Sequence, residues 1–344
     1  MDETSGIWWR QITGARNFLQ KTADALASGK SVVIRLSDET PWLDDMREIL
    51  TEFLNKKFGG IRVVREIDSA NVGDEPAAYV FERFCGDNVK TNFIPFGERA
   101  HVKFLAERDD IILNKICLWI RGASKVQAEK WFTFIADYHK FQRGKYGGIF
   151  LLETGADCDF VGKTGIEIFS AETEISDYDC FAFNIFIAAQ FGKGDKSTKR
   201  YLAELASNVT GLDVERAAEY IRRGNDFMQN PHAVAKNKSR EEIDRAVWVT
   251  QLKLIFPLIE IFRRDFVKKY ESLIESFMPC HMNGGKIIYT PDDAEFGDLL
   301  YILGGESWKM DADDWSNLKT FRDARNKLAH RNALTFAEVK LVFK

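Results

Sequence analysis

From residue 31 to about residue 170, short β-branched and apolar runs alternate with longer stretches of helical hydrophobic period. Ser31-Val32-Val33-Ile34-Arg35-Leu36 has a strand pattern, and 37–55 reads as the helix after it, with Pro41 in the first turn. Further strands are predicted at 61–67, within 110–120 (ending in Ile116-Cys117-Leu118-Trp119-Ile120), at 147–152 and at 165–169. An amphipathic helix is predicted over 128–141. Apolar strands joined by helices must be covered on both faces. The pattern therefore predicts a mainly parallel, three-layer α/β sheet with right-handed crossovers.

After Ser176 the strand signal stops. Helices are predicted over 177–191, 198–207 and 214–223, with a hinge-like loop at 192–196 and a break at Asn230-Pro231. One long helical pattern runs from 241 to 277, with a kink at Pro257. Helices over 291–303, 313–331 and 335–342 complete an all-α bundle, the last with Thr335 and Glu338 at capping-box spacing. The expected fold class is thus α/β plus all-α. An α/β domain over 1–175 is followed by a small helical lid-like region over 176–232 and a helical bundle over 240–344.

Length agrees with this division, because 344 residues exceed one ordinary core. Hydrophobic residues at 45% and charged residues at 29% are globular values. A net charge of −4 and a pI near 5.9 give no global attraction to nucleic acid, so contact with RNA requires a local basic patch. The five cysteines are odd in number, widely spaced and free of CxxC pairs, which predicts reduced thiols and no zinc site. Apolar runs are too short to span a bilayer and the first residues lack a signal-peptide pattern. A soluble, cytoplasmic protein with no membrane partner is expected.

Two GK[ST] triplets fail the mechanics of a phosphate loop, which needs GxxxxGK[ST] after a strand and opening a helix. Gly29-Lys30-Ser31 precedes the first strand and has Asp24 where the earlier glycine belongs. Gly162-Lys163-Thr164 has Asp157 there and runs into a strand. After Leu36, where such a loop should sit, the chain reads Ser37-Asp38-Glu39-Thr40-Pro41-Trp42, whose two carboxylates oppose a triphosphate. Arg121-Gly122 stands where an acidic metal ligand would follow Ile120. No ATP hydrolysis and no cofactor are expected.

The order of elements over about 8–231 nevertheless resembles a degenerate member of the STAND class of P-loop ATPases. A helix leads into strand 32–36, a hydrophobic strand ends at Trp119-Ile120, strand 149–152 carries Glu153-Thr154, and Ile175-Ser176-Asp177-Tyr178-Asp179 opens a helical region. The resemblance implies a non-hydrolysing sensor or scaffold of a prokaryotic conflict system.

Near the C-terminus, 321–332 read FRDARNKLAHRN. At ~100° per residue, Leu318, Phe321, Ala324 and Leu328 form a core stripe, and Asn326 and His330 share the far side. Arg325 lies at the stripe's edge, where its stem can pack while its head reaches out. A guanidinium suits a phosphate and an imidazole exchanges protons near neutral pH. An ordinary explanation also exists, since cations near a helix C-terminus meet its dipole favourably. Arg325-Asn326-Lys327-Leu328-Ala329-His330 resembles the RN-xxx-H signature of HEPN domains, over roughly 240–344. The resemblance implies a metal-independent ribonuclease in which two motif helices face each other in a homodimer. Arg325 would hold the scissile phosphate, His330 would assist attack by the 2′-hydroxyl, and Asn326 would orient them.

Other candidates are weaker. Cys280 and His281 are adjacent in what reads as a glycine loop through Met282-Asn283-Gly284-Gly285. His101, His139 and His232 have no partner at metal-ligand spacing. Glu260 is a candidate to orient the Arg–His pair. Three functions therefore stand open. One is a defence protein whose bundle cleaves RNA. Another is a non-catalytic scaffold that assembles with itself or with other proteins of the same conflict cassette. The third is a nucleotide-regulated switch.

Overall fold

The computed structural model describes residues 2–343 apart from 98, 143–146 and 283. The strand runs form β1 (Ser31–Leu36), β2 (Val63–Asp68), β3 (Ile116–Arg121), β4 (Ile149–Gly155) and β5 (Ile166–Ser170). They make one parallel sheet in the order β2-β3-β4-β1-β5. The parallel α/β sheet read from the sequence is thus present, with β1 as expected and the ends of the other strands shifted by up to three residues.

Alternation along the central strands sorts two covered faces. Val33, Leu118, Ile120, Phe150 and Leu152 pack with the helices Pro76–Phe84, Ala100–Glu107 and Lys125–Phe141. Trp119 and Glu153 point the other way, toward the helix Leu43–Phe58, which packs beside Glu3–Gln11 and Thr13–Ala27. Glu153 is only 6% exposed. Its two carboxylate oxygens accept from Arg47 Nε at 3.1 Å and Nη2 at 2.7 Å, and the Trp119 indole adds a bond at 2.8 Å. Bidentate geometry and a third donor satisfy a charge that could not otherwise be buried.

The helix after β1 starts later than the pattern indicates. It begins at Leu43, not at Ser37, because Trp42 adopts left-handed φ 44°. The Pro41 carbonyl accepts the Trp9 indole at 3.1 Å, and the Trp42 ring meets Phe183 edge-on at 5.8 Å. Tertiary contact holds this segment as a turn. Between 68 and 109, where the pattern assigned no element, the helices Pro76–Phe84 and Ala100–Glu107 form.

By internal contacts the chain divides into Met1–Phe183 and Asn184–Lys344, and the boundary falls within the helix Asp177–Phe191. The sequence reading has its first boundary at 175/176. In the second unit, Lys196–Thr210 packs on Arg240–Leu254, with Asn208 Nδ2 donating to Thr250 at 2.9 Å and Tyr201 stacking near Phe336. The long pattern over 241–277 becomes three helices, Arg240–Leu254, Phe256–Lys269 and Glu271–Glu275. Pro257 cannot donate to the preceding turn, which accounts for the break at Ile255. The second break is at Tyr270, whose hydroxyl bonds the Asp314 carboxylate at 2.7 Å. Cys280–His281 (β6) pairs antiparallel with Ile287–Ile288 (β7), so the expected glycine loop is the turn of a small hairpin. Asn283 of that reading, and Met1 and Lys344 at the ends of the expected domains, lie outside the described residues.

One carboxylate serves two helix starts. Asp179 accepts from Ser176 N–H at 2.9 Å and Ser176 Oγ at 2.6 Å, and also from Gly14 N–H at 2.8 Å. Ile12, the N-cap of Thr13–Ala27, has no side-chain acceptor to offer, so Asp179 supplies one from 165 residues away. Only glycine fits at 14, since a Cβ there would come within 2.5 Å of this carboxylate.

Replacing Arg47 with Met should lower unfolding stability by about 3–5 kcal/mol, the range for stranding one buried charge, as read from urea denaturation. Arg47 and Glu153 exchanged together for Met and Leu should recover much of that loss. Burial pushes the Asp179 carboxyl up, but its hydrogen bonds from Ser176 and Gly14 outweigh this and hold it below the ordinary aspartate value. Its stabilisation is present at neutral pH and disappears as pH falls through the depressed value. Asp179→Asn should therefore cost stability at pH 7 and flatten the acid limb of Tm against pH below about 4.

Candidate functional site

The helix bearing the Arg–Asn–His pattern is Ala312–Ala329. Asp311 caps its first turn through the Asp313 N–H at 2.8 Å, and Asp313 and Asp314 face the positive dipole end. Leu318, Phe321, Ala324 and Leu328 are buried, as their spacing requires. Phe321 stacks on Phe262 with centroids 4.2 Å apart, fixing the rotation of the helix against Phe256–Lys269.

That rotation sets the three candidate residues. Arg325 is half-buried: Nε is enclosed without a hydrogen-bond partner, and Nη2 reaches Glu295 at 3.4 Å. Asn326 and His330 are exposed. No side-chain hydrogen bond joins Arg325, Asn326 and His330 to one another among the described residues. Glu260, the expected orienting carboxylate, instead pairs with Arg263 at 3.0 Å. The carboxylate that does meet Arg325 is Glu295, and no sequence spacing marks it.

The helix ends earlier than 331. His330 is its C-cap, with φ −91° and ψ 18°, and Arg331 is left-handed at φ 59°. Arg331 N–H bonds Leu328 C=O at 3.2 Å and Asn332 N–H bonds Lys327 C=O at 2.9 Å, the paired bonds of a Schellman ending. Glycine normally fills the position that Arg331 occupies, so this turn is held under strain. Two residues of Arg240–Leu254 hold it. The Trp248 indole donates to Leu328 C=O at 2.9 Å. Fully buried Gln251 donates to Leu334 C=O at 2.8 Å, accepts Leu334 N–H at 2.7 Å, and meets the Tyr201 hydroxyl at 3.2 Å. Trp248 and Gln251 were invisible as site residues in the sequence; a buried amide three residues after an aromatic is an ordinary helix pattern.

The local charge is lower than composition implies. Lys327 pairs with Glu338 and Arg322 with Asp323. Arg331 and His330 have no carboxylate partner among the described residues. The arrangement offers one exposed imidazole, one exposed amide and one guanidinium that a phosphate oxygen would have to win from Glu295.

Elsewhere, the lysines of both GK[ST] triplets are engaged, Lys30 with Glu167 and Lys163 over the Phe132 ring at 5.2 Å. Asp44 and Asp45 occupy the first turn of Leu43–Phe58, where a phosphate loop would present its positive dipole end. Cys280 and His281 are successive residues of a strand, so their side chains diverge. His101 stacks on Phe93, His232 bonds Asp244 at 2.9 Å, and no group of three metal-ligating side chains occurs among the described residues. Four cysteines are buried, and burial pushes the Cys117 thiol up to about 12. No helix among the described residues is long and apolar enough to cross a membrane.

Gln251→Leu should leave the buried Leu334 N–H and C=O unpartnered and cost about 2–4 kcal/mol. Hydrogen exchange should show lost protection at Leu334 before the helix Arg240–Leu254 is affected. The chain matches no protein-family model, no curated protein and no solved structure.

Proposed function

We propose that the second unit is a HEPN-like, metal-independent endoribonuclease acting as a homodimer, and that the first is a non-hydrolysing STAND-like sensor or scaffold of a conflict system. The observation that carries the catalytic half is the exposure of Asn326 and His330 on a helix end that Trp248 and Gln251 hold in one geometry. A core histidine would point inward; this one faces outward beside a guanidinium whose stem is packed. In the proposed reaction Arg325 leaves Glu295 for the scissile phosphate and His330 takes the proton of the attacking 2′-hydroxyl; the P–O5′ bond breaks, leaving a 2′,3′-cyclic phosphate, and the 5′-oxygen is protonated from the second chain's copy of the motif or from water. For the sensor half, support comes from the parallel order with β1 next to β4 and from the acidic loop after Leu36.

The second reading, a scaffold that assembles without catalysis, is favoured by one specific contact. The Arg325–Glu295 ion pair already occupies the phosphate-binding group.

The two separate in one assay. Purified protein incubated with single-stranded RNA in excess EDTA should cleave it, and Arg325→Ala and His330→Ala should each reduce cleavage by about 10²–10⁴-fold with unchanged circular dichroism. Glu295→Gln should retain or raise activity. Cleavage unchanged in both variants removes the mechanism, and no cleavage by the unaltered dimer selects the scaffold.

A further inference from the structure

The first unit contains a cavity of about 790 Å³ lined by Arg99, Asp137, His139, Lys140, Gly162, Lys163 and Thr164. It lies at the amino-terminal edge of the sheet, since Ser31 opens β1 and Gly165 precedes β5. This is the end opposite the acidic loop that follows Leu36. Its size falls within the ordinary range for small-ligand sites.

The lining is unevenly charged. Among the described residues Asp137 is the one carboxylate in it, and Arg99 consumes that charge through two nitrogens, each 3.2 Å from one of its oxygens. Lys140 and Lys163 have no carboxylate partner among the described residues. Lys163 is held over the face of Phe132, which itself stacks on Phe160 at 4.4 Å. An aromatic platform fixes the ammonium without neutralising it. Lys140 sits in the last turn of Lys125–Phe141. The helix dipole favours a cation there but carries only about half a charge, so most of the lysine's field persists.

The backbone adds donors. The turn into β5 is closed by Ile166 N–H on Lys163 C=O, and Gly165 is at φ +81°. The N–H groups of Lys163, Thr164 and Gly165 donate to no group among the described residues. Successive free N–H groups in a turn form an anion-binding concavity. The cavity wall is also built for one position of the ring. Ser31 Oγ accepts Phe150 N–H at 3.0 Å and lies 2.8 Å from His139 Nε2, within hydrogen-bond distance. A Cβ on Gly165 would come within 2.9 Å of the imidazole, so glycine is required for the ring to lie flat against the turn. Burial moves His139 toward its neutral form.

We infer that this cavity binds a phosphate-bearing small anion, with Lys140 and Lys163 as charge partners and the Lys163–Gly165 turn as backbone donor. Two point-charge ammonium groups beside free N–H groups suit a diphosphate, which spans several acceptors at once. The Gly162-Lys163-Thr164 triplet would then contact phosphate without being a phosphate loop, because it opens a strand and relies on a turn instead of a helix end.

The probe is inorganic pyrophosphate, with ATP as a second arm and sulfate at matched ionic strength as the control. For the full chain, Tm should rise by about 5 °C at pyrophosphate well above its Kd, with saturable heat in titration calorimetry and little effect from sulfate. In the Lys140→Ala/Lys163→Ala double variant, whose substitutions are at exposed positions, affinity should fall at least tenfold while the ligand-free Tm stays within a few degrees. A stronger response to ATP assigns a nucleotide, and an equal one assigns the phosphate group alone; both support the site. No saturable binding, an equal response to sulfate, or undiminished binding by the double variant overturns it. Lys163→Gln repeats the comparison if the double variant does not fold. The outcome is independent of RNA cleavage by the second unit.

Discussion

A parallel sheet covered on both faces leaves no water for a polar side chain, and in this chain the consequence is concentrated at Glu153. Its carboxylate is held inside the α/β unit by Arg47 from the helix after β1 and by the indole of Trp119 on β3. Three elements distant in sequence must therefore dock in one register for that charge to be tolerated. A hydrophobic trio could pack as well or better. What the polar trio adds is a penalty on every register that separates its members, which ties the first crossover helix to the centre of the sheet.

The same logic recurs on a smaller scale. Ser31, at the start of β1, is closed off by Phe150 N–H and His139 on the opposite face. Asp179 supplies the missing cap of Thr13–Ala27. In the helical unit Gln251 pairs both backbone groups of Leu334. Each is a single polar side chain that joins segments far apart in the chain, and each works because the interior offers its atoms no alternative partner.

These joints also decide where chemistry is available. Trp248 bonds the end of Ala312–Ala329 at Leu328 and Gln251 bonds the chain just beyond it at Leu334, while His330 and Asn326 are exposed. At the amino-terminal edge of the sheet, the Ser31–His139 contact lies beside a cavity whose two lysines no carboxylate among the described residues neutralises. Both places combine a fixed backbone with unspent polar groups, a condition that a floppy surface loop does not meet.

Hydrophobic periodicity was enough to determine the five strands, the parallel α/β class and most helices of the second unit, because burial of apolar stripes is a local property that repeats with the element's own period. It also placed Asn326 and His330 outside the core and Arg325 at its edge, since helix rotation follows from Leu318, Phe321, Ala324 and Leu328. It could not determine where Leu43–Phe58 begins, because Trp42 is held left-handed by partners at Trp9 and Phe183 in other parts of the chain. Nor could it give the end of Ala312–Ala329 at a strained Arg331, the Glu295 partner of Arg325, or the convergence of Lys140 with Lys163. Those depend on hydrogen bonds and charges between segments tens to hundreds of residues apart, which leave no periodic trace. Sequence set which residues face inward, and only tertiary structure decided which polar groups found partners and which were left free to bind.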